Sequence, residues 1–311
     1  MTAGKGAVWR SPGLIDAHAH IGWVDFDAQA RAKRSAADTD RLVAEQRREL
    51  AACGFTAMRD AGGWTQDETR DGVTVLGCAA MISGDDDAAA GALAGATLEP
   101  KHGRWVKLFL TGGMGAPADR VLEPMMSRDR VRRVIAAIHV AGCKAMAHAW
   151  GGPALDWAIE AGIDSVEHGV LLTGRQAERM ARVGIPLVPT VNIYRILADA
   201  PAGLGIPPVV AERAKVAADR HPQAVRLAHD AGVTIGVGTD YCTPLLFGRN
   251  LEELDALESC GLTRTETWRA ATEGNARIVG AEAVAGRADV CFDVDPLTVP
   301  HAADLRGHLV V

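Results

Sequence analysis

The sequence predicts an α/β fold and, within that class, a (β/α)8 TIM barrel. Eight short apolar runs rich in β-forming residues recur along the chain, most of them separated by amphipathic stretches of helical length. Regular alternation of strand and helix is typical of βα units around a parallel sheet. Eight units within 311 residues fit the size of such a barrel. The runs are residues 13–21, 54–62, 73–82, 104–113, 144–152, 164–172, 185–193 and 233–242.

Glycine marks the ends of five predicted helices, each time between an amphipathic stretch and the next apolar run. At that position glycine supplies the left-handed conformation that closes a helix. The five are Gly54, Gly142, Gly162, Gly184 and Gly232. A doubly wound sheet is the alternative fold, but it predicts a GxGxxG phosphate loop after the first strand, and this strand ends in HAHIGW. Residues 83–103, rich in Ala and Gly, predict only a weak helix.

The last part of the chain departs from this alternation. Residues 281–311 read as short strands and turns. We therefore expect a barrel over residues 11–280 and a small β appendage formed by residues 1–10 together with residues 281–311.

Composition narrows the classes of partner. The net charge of −6 argues against a nucleic-acid backbone, which needs clustered Lys and Arg. No apolar run reaches the roughly 18–20 residues of a membrane span. Six cysteines without paired spacing are typical of reduced thiols, so we expect a cytoplasmic protein. Because nucleic acid and membrane are disfavoured as partners, we expect the protein to act on a small molecule. A homo-oligomer is compatible with this pattern.

Polar side chains interrupt the apolar runs near their ends, which is where (β/α)8 barrels carry their chemistry. A single strand histidine is more often a hydrogen-bonded core residue than a ligand. The whole set is harder to explain as core residues, because burying four imidazoles, an amine and a carboxylate costs free energy unless one shared ligand binds them all. His18 and His20 share one face of their strand. The set is His18, His20, Lys107, His148, His168 and Asp240.

A divalent metal is such a partner, since imidazole and carboxylate are its natural ligands. Lys107 must then be neutral or chemically altered. A buried lysine has a lowered pKa, and a neutral amine can add carbon dioxide to become a carbamate able to bridge two metals. Glu167 is not counted as a ligand, because it neighbours His168 on a strand and should point away from it.

These residues lie in motifs that resemble the metal-dependent amidohydrolase superfamily, and most of all its prolidase-like and imidazolonepropionase-related branch. The motifs occur in the family's order and cover nearly the whole chain. The sequence GRADVCFDVDPL is similar to the family's return into a small β-sandwich, which is reduced here because few residues precede the first motif. The motifs are GLIDAHAH, VKLFLTGG, AMAHAWGG, SVEHGVLL, PLVPT and VGTDYCTP.

The resemblance implies two divalent metal ions, most often Zn²⁺. His18, His20 and Asp240 would hold the first, His148 and His168 the second, and carboxylated Lys107 would bridge them. A hydroxide between the metals would attack the substrate carbonyl, and Asp240 would take its proton and pass it to the leaving nitrogen.

Candidate substrate contacts are less specific. Tyr194 should lie on the loop after the seventh strand and could also assist catalysis through a hydrogen bond to the substrate carbonyl. Arg195 could bind a carboxylate, and Gly113 would let the backbone approach closely. Trp150 and Cys242 are expected to line the pocket. Trp150 stands where many relatives have Tyr or His, which favours a less polar substrate.

The predicted function is hydrolysis of an amide that is peptide-like, N-acyl or cyclic. A lactone or ester hydrolase on the same centre is an alternative, because attack by hydroxide does not specify the leaving atom. A non-catalytic binding barrel is the second alternative. Deamination is disfavoured, because deaminase relatives generally use one metal without the bridging lysine.

Overall fold

The computed structural model describes residues 8–84, 104–199 and 205–310. The predicted weak helix over residues 83–103 lies almost wholly outside this part of the chain. The strands fall into three sheets, two of them mainly parallel. The strands are β1 Trp9–Pro12, β2 Leu14–Ala19, β3 Phe55–Asp60, β4 Glu68–Arg70, β5 Val73–Leu76, β6 Cys78–Ser83, β7 Trp105–Phe109, β8 Lys144–Ala149, β9 Ser165–His168, β10 Leu187–Val188, β11 Asp289–Phe292 and β12 Leu309–Val310.

The two parallel sheets share one predicted strand. The first has the order β2-β3-β5-β4, in which only β4 is antiparallel. The second has the order β10-β9-β8-β7-β6 and is parallel throughout. The run 73–82 was predicted as one strand, but it divides at Gly77: β5 pairs with β3 and β6 pairs with β7. The run therefore links the two sheets.

The eighth predicted strand is less regular than expected. Within residues 233–242 the only β-bridge is that of Ile235 to Leu187. The segment still touches both sheets, because Val237 O accepts from Ala17 N at 2.8 Å and Thr234 O accepts from Leu187 N at 2.9 Å. A Cβ on Gly238 would stand 2.7 Å from the Cβ of His18, so glycine permits the close approach to β2.

Helices cover the sheets, and the five glycines predicted to end helices all have positive φ, between 70° and 81°. Large apolar side chains such as Leu50, Phe55, Leu108 and Ile135 are fully buried between the layers. The helices are α1 Ala28–Lys33, α2 Ala36–Ala52, α3 Arg128–Val140, α4 Gly152–Ala161, α5 Gly174–Val183, α6 Val191–Asp199, α7 Pro208–Asp230, α8 Glu252–Ser259, α9 Arg264–Arg269 and α10 Asn275–Val279.

The two ends of the described chain meet in a separate antiparallel sheet. Strand β11 pairs with β1 on one side and with β12 on the other. The sheet brings residues near both termini together beside the first parallel sheet, since Gly13 N donates to Ala288 O at 3.1 Å. Among the helices of the described residues, we find none with the length and apolar character needed to cross a membrane.

Candidate metal centre and cavity

The predicted ligands meet at the carboxyl ends of the parallel strands. Asp240 Oδ1 lies 3.1 Å from His20 Nε2 and 3.4 Å from His18 Nε2. Lys107 Nζ, on β7, lies 3.2 Å from His18 Nε2. The rings of His18 and His168 are 5.0 Å apart, and those of His148 and His168 are 4.5 Å apart. All six side chains therefore form one cluster, built from both parallel sheets.

Three of the four rings are held at Nδ1 by the protein itself. His18 Nδ1 donates to Glu167 Oε2 at 2.5 Å, and His20 Nδ1 donates to Gly62 O at 2.8 Å. His168 Nδ1 contacts the Thr190 hydroxyl at 2.8 Å. A partner at Nδ1 fixes the ring and leaves Nε2 free, which is how metal-binding histidines are usually oriented.

Glu167, which was set aside as a ligand, is the residue that orients His18. It is fully buried, and both its oxygens accept from Arg59 Nη2, at 2.9 and 3.0 Å. Arg59 is also fully buried and donates to Ala17 O and Ser165 Oγ. Although burial alone would raise the pKa of Glu167, Arg59 and the His18 hydrogen bond lower it to about 2. His18 is thus held by an ionised carboxylate.

Backbone strain concentrates at the same place. Three non-glycine residues have left-handed φ here: His168 at 72°, Thr190 at 57° and Asp240 at 57°. Each follows or ends a strand or extended segment that reaches the cluster. Such conformations cost free energy and persist where the surrounding structure over-determines them, which is most often at functional sites.

His148 lies at the edge of the cluster that faces the cavity. A Cβ on Gly113, whose φ is 49°, would stand 2.5 Å from His148 Nε2, so glycine allows the backbone to pass beside this ring. Gly113 therefore stands next to a predicted ligand, and its contact with substrate stays a prediction.

The electrostatics of the cluster favour the neutral forms of His148, His168 and Lys107 and the ionised form of Asp240. Desolvation and nearby Lys107 lower the pKa of His148 to about 3, and desolvation takes the pKa of His168 well below its usual range. Burial also lowers the pKa of Lys107. For Asp240, desolvation would raise the pKa, but hydrogen bonds from His18 and His20 hold that pKa well below its usual value.

This donor set fits a divalent cation. One ligand atom each of His18, His168 and Asp240 lie within 4.8 Å of one another. Neutral imidazole and carboxylate are the ligands that zinc and similar metals take. The arrangement of Nδ1 partners and the low pKa values point to the same conclusion, so these residues fit the metal site that their motifs imply.

A cavity of about 530 Å³ opens directly above the cluster, with His20, His148 and Asp240 at its base. Tyr194 and Cys242 line it, and their contact with substrate stays a prediction. Burial takes the pKa values of both groups well above their usual ranges, so the phenol stays protonated as a donor and the thiol stays un-ionised. Gly112 also lines the cavity, next to Gly113.

Three of the predicted substrate contacts are not in the cavity lining: Gly113, Arg195 and Trp150. Tyr194 lies in helix α6 instead of a loop, and consecutive helical residues point about 100° apart. Arg195 consequently turns away from the cavity lining and donates to Ser259 Oγ at 2.6 Å. Trp150 packs behind Tyr194 and donates from Nε1 to its hydroxyl at 3.2 Å, so it supports the lining instead of forming it.

Sequence reasoning missed another residue that holds the cluster. His221, assigned to a helix and set aside, is fully buried in α7, and its Nε2 donates to His168 O at 2.7 Å. It therefore fixes the backbone of a predicted ligand in its strained conformation. The only local signal was Pro222, directly after it inside a helix.

Comparisons with known proteins identify the family of the chain. A model of the amidohydrolase family matches residues 10–295. An uncharacterized protein of Mycobacterium tuberculosis is 29% identical over 327 residues, covering 96% of this chain and 84% of its own length. Ochratoxinase of Aspergillus niger is 26% identical, covering 88% of this chain and 66% of its own length.

Solved structures share the fold. A Xaa-Pro dipeptidase crystallised with methionine in its active site superposes with a TM-score of 0.76 at 22% identity, covering 96% of this chain and 86% of its own. The resemblance to prolidase-like amidohydrolases is therefore confirmed. Since the family model spans residues 10–295, the chain belongs to the amidohydrolase family and is a hydrolase that acts on C–N bonds.

Proposed function

We propose that this protein is a binuclear metal-dependent hydrolase of amide bonds. The observation that carries the proposal is the orientation of the histidines: His18, His20 and His168 each have a protein partner at Nδ1. The Nε2 atoms of His18 and His20 face Asp240, and a ligand atom of His168 lies within 4.8 Å of ligand atoms of His18 and Asp240. The similarity to a dipeptidase and to ochratoxinase supports amides as the substrate class.

The proposed architecture is a closed (β/α)8 barrel over residues 11–280. Support comes from the run 73–83, which belongs to both parallel sheets, and from residues 233–240, which bond to both on the other side. Residues 1–10 and 281–311 form the proposed appendage, a reduced β-sandwich. Six free cysteines are consistent with a reducing compartment, the cytoplasm.

His18, His20 and Asp240 would hold one metal ion, and His148 and His168 the other. Lys107 would bridge them as a carbamate, which its burial favours, because only the neutral amine adds carbon dioxide. When bound, divalent metal supplies Lewis acidity that activates water and polarises the scissile carbonyl. Zinc suits this donor set.

The remaining chemistry falls to the chain's own groups. Asp240, held ionised, accepts a proton at Oδ and returns it to the leaving nitrogen. Tyr194, which burial keeps protonated, donates a hydrogen bond from its hydroxyl group to the substrate carbonyl. Glu167 and Arg59 keep the His18 ring in place while these protons move.

The test compares metal content and turnover in two lysine variants. We expect about two metals per chain and chelator-sensitive hydrolysis of amides in the wild type. Lys107→Ala should lose metal and turnover, whereas Lys215→Ala, at an exposed lysine paired with Glu212, should keep both. Asp240→Asn should lower kcat by about 10²-fold or more.

Substrates for this test are N-acyl amino acids, dipeptides, cyclic amides and lactones. Faster cleavage of lactones than of every amide would favour the esterase alternative. A folded, metal-free wild type that binds small molecules without turning them over would favour a binding barrel. Full metal content in Lys107→Ala would refute the bridging role.

A further inference from the structure

The walls of the cavity differ in character from its base. Above the polar cluster the lining is almost wholly apolar and comes from distant parts of the chain. Helix α6 and the region around the start of α7 form one side, and the residues after β2 and β7 form the others. Representative wall residues are Trp23, Phe26, Phe109, Met125, Leu197 and Val210.

Aromatic rings continue directly from the base into the walls. The Trp23 ring stacks on the His20 ring with centroids 3.9 Å apart and planes 14° from parallel. On another side, the Phe109 ring lies 5.8 Å from the His148 ring. A group bound next to these histidines therefore meets aromatic rings, which favour bulky apolar substituents.

Among the described residues that line the cavity, none is Lys, Arg or Glu. Two described arginines lie close to the walls but outside the lining, and each donates to backbone carbonyl groups. Arg31 lies over the outer side of Trp23, 4.6 Å from its ring, and donates to Asp25 O and Phe26 O. Arg213 donates to Met114 O at 2.7 Å. Asp240 is the only acid in the lining.

We infer, on the basis of the proposed hydrolase function, that the substrate is an uncharged carboxamide with a bulky apolar or aromatic group. It carries neither a free carboxylate nor an ammonium group near the scissile bond. A substrate carboxylate would be desolvated against apolar walls with no described cation to pair with it, and such burial is costly. An ammonium would find only Asp240, which the cluster already engages.

The reaction fits this environment. Water adds its oxygen to the acyl carbon, the C–N bond breaks, and a proton passes to the nitrogen, giving an amine and a carboxylic acid. The acid ionises at neutral pH, so its carboxylate forms at the metal-binding base of the cavity, away from the apolar walls.

Matched chromogenic anilides test the inference. The first pair is the hexanoyl amide of 4-nitroaniline and the hexanoyl amide of 5-amino-2-nitrobenzoic acid, which differ by one carboxylate on the leaving side. The second pair is the 4-nitroanilides of hexanoic acid and of adipic acid, which differ by one carboxylate on the acyl side. With the zinc-loaded protein we expect kcat/KM to be at least about 100-fold higher for the neutral member of each pair.

A variant at the mouth of the cavity sharpens the result. Met125 is 38% exposed, so a longer polar side chain is accommodated there. Met125→Arg should raise kcat/KM for the carboxylated anilides relative to the neutral ones by about tenfold. Met125→Gln adds polarity without charge and should leave that ratio near the wild-type value. Equal gains in both variants would mean that charge is not the determinant.

Binding measurements distinguish failure of this inference from failure of the proposed function. Equal or faster cleavage of the carboxylated anilides would overturn the inference and leave the hydrolase intact. If no anilide is cleaved, calorimetry of the same pairs on the zinc-loaded protein decides: tighter binding of the neutral members by about 100-fold supports the inference. Equal or tighter binding of the carboxylated members overturns it.

Discussion

Two glutamates, Glu167 and Glu253, are both fully buried yet carry opposite pKa shifts. Glu167 lies at the end of β9 beneath His18 and is paired with buried Arg59. Its pKa falls to about 2. Glu253, in α8, accepts hydrogen bonds from the backbone amides of Val191 and Asn192, at 2.7 and 2.8 Å, and from no other group among the described residues. Burial raises its pKa to about 8.

The difference shows that the partner, not the degree of burial, sets the charge of a carboxyl group here. A full positive charge at contact distance outweighs desolvation, whereas two amide dipoles do so only in part. Glu167 is therefore an anion that orients His18 and strengthens it as a ligand. Glu253 fastens the start of the helix that carries Tyr194 without adding a full charge beside the apolar cavity.

The largest effect we predict comes from truncating each glutamate. Glu167→Ala should lower the free energy of unfolding by about 3–5 kcal/mol, because it leaves Arg59 buried without its anion. Glu253→Ala should cost only about 1–3 kcal/mol, because it leaves two amides unpaired. Both changes delete the same atoms from a buried site. Urea unfolding of the metal-free proteins measures the difference, and equal losses would show that the partners do not matter.

Removing the whole ion pair should separate stability from ligand orientation. The double variant Arg59→Met with Glu167→Leu leaves no buried charge unpaired, so it should recover most of the stability lost in Glu167→Ala. His18 Nδ1 still loses its acceptor, and zinc affinity should fall by about 10–100-fold.

Competition with a chelating dye measures that affinity. Glu253→Gln is the control and should bind zinc like the wild type, because Glu253 contacts none of the clustered side chains among its hydrogen bonds. Wild-type affinity in the double variant would show that Glu167 does not orient His18 for metal binding.

The third prediction concerns pH and Glu253. Its pKa is higher in the folded protein, about 8, than its ordinary value of 4.5, so the folded state binds the extra proton between these values. The stability that this proton contributes is fully present below pH 4.5 and is lost as pH rises through 8. The slope within this window is about 1.4 kcal/mol per pH unit.

Urea unfolding of the wild type and Glu253→Gln at several pH values isolates this effect, because the other titrations are shared. We expect the stability of the wild type to decline relative to the variant as pH rises. A constant difference would indicate that the two amides keep the carboxylate ionised throughout.

The local pattern predicted the regular parts of the fold. Alternation of apolar runs and helical stretches located strands β2, β3, β7, β8 and β9, and the spacing of glycines located five helix ends. It failed where the backbone is irregular. Strand alternation predicts that Glu167 points away from the site. At His168 the left-handed φ interrupts that alternation, so the prediction does not hold there. The same pattern could not show that Tyr194 and Arg195 lie within a helix, where consecutive side chains point in different directions, and so it placed Arg195 in the pocket.

The sequence by itself determined which side chains end the strands, because strand periodicity and βα alternation are local properties. His18, His20, Lys107, His148, His168 and Asp240 follow from that rule and from their motifs. Only the tertiary structure decided what holds each ring and what surrounds the cavity. His18 and Glu167 are separated by 149 residues, and the walls come from segments equally far apart. Such contacts depend on how the layers pack, and no local spacing encodes them.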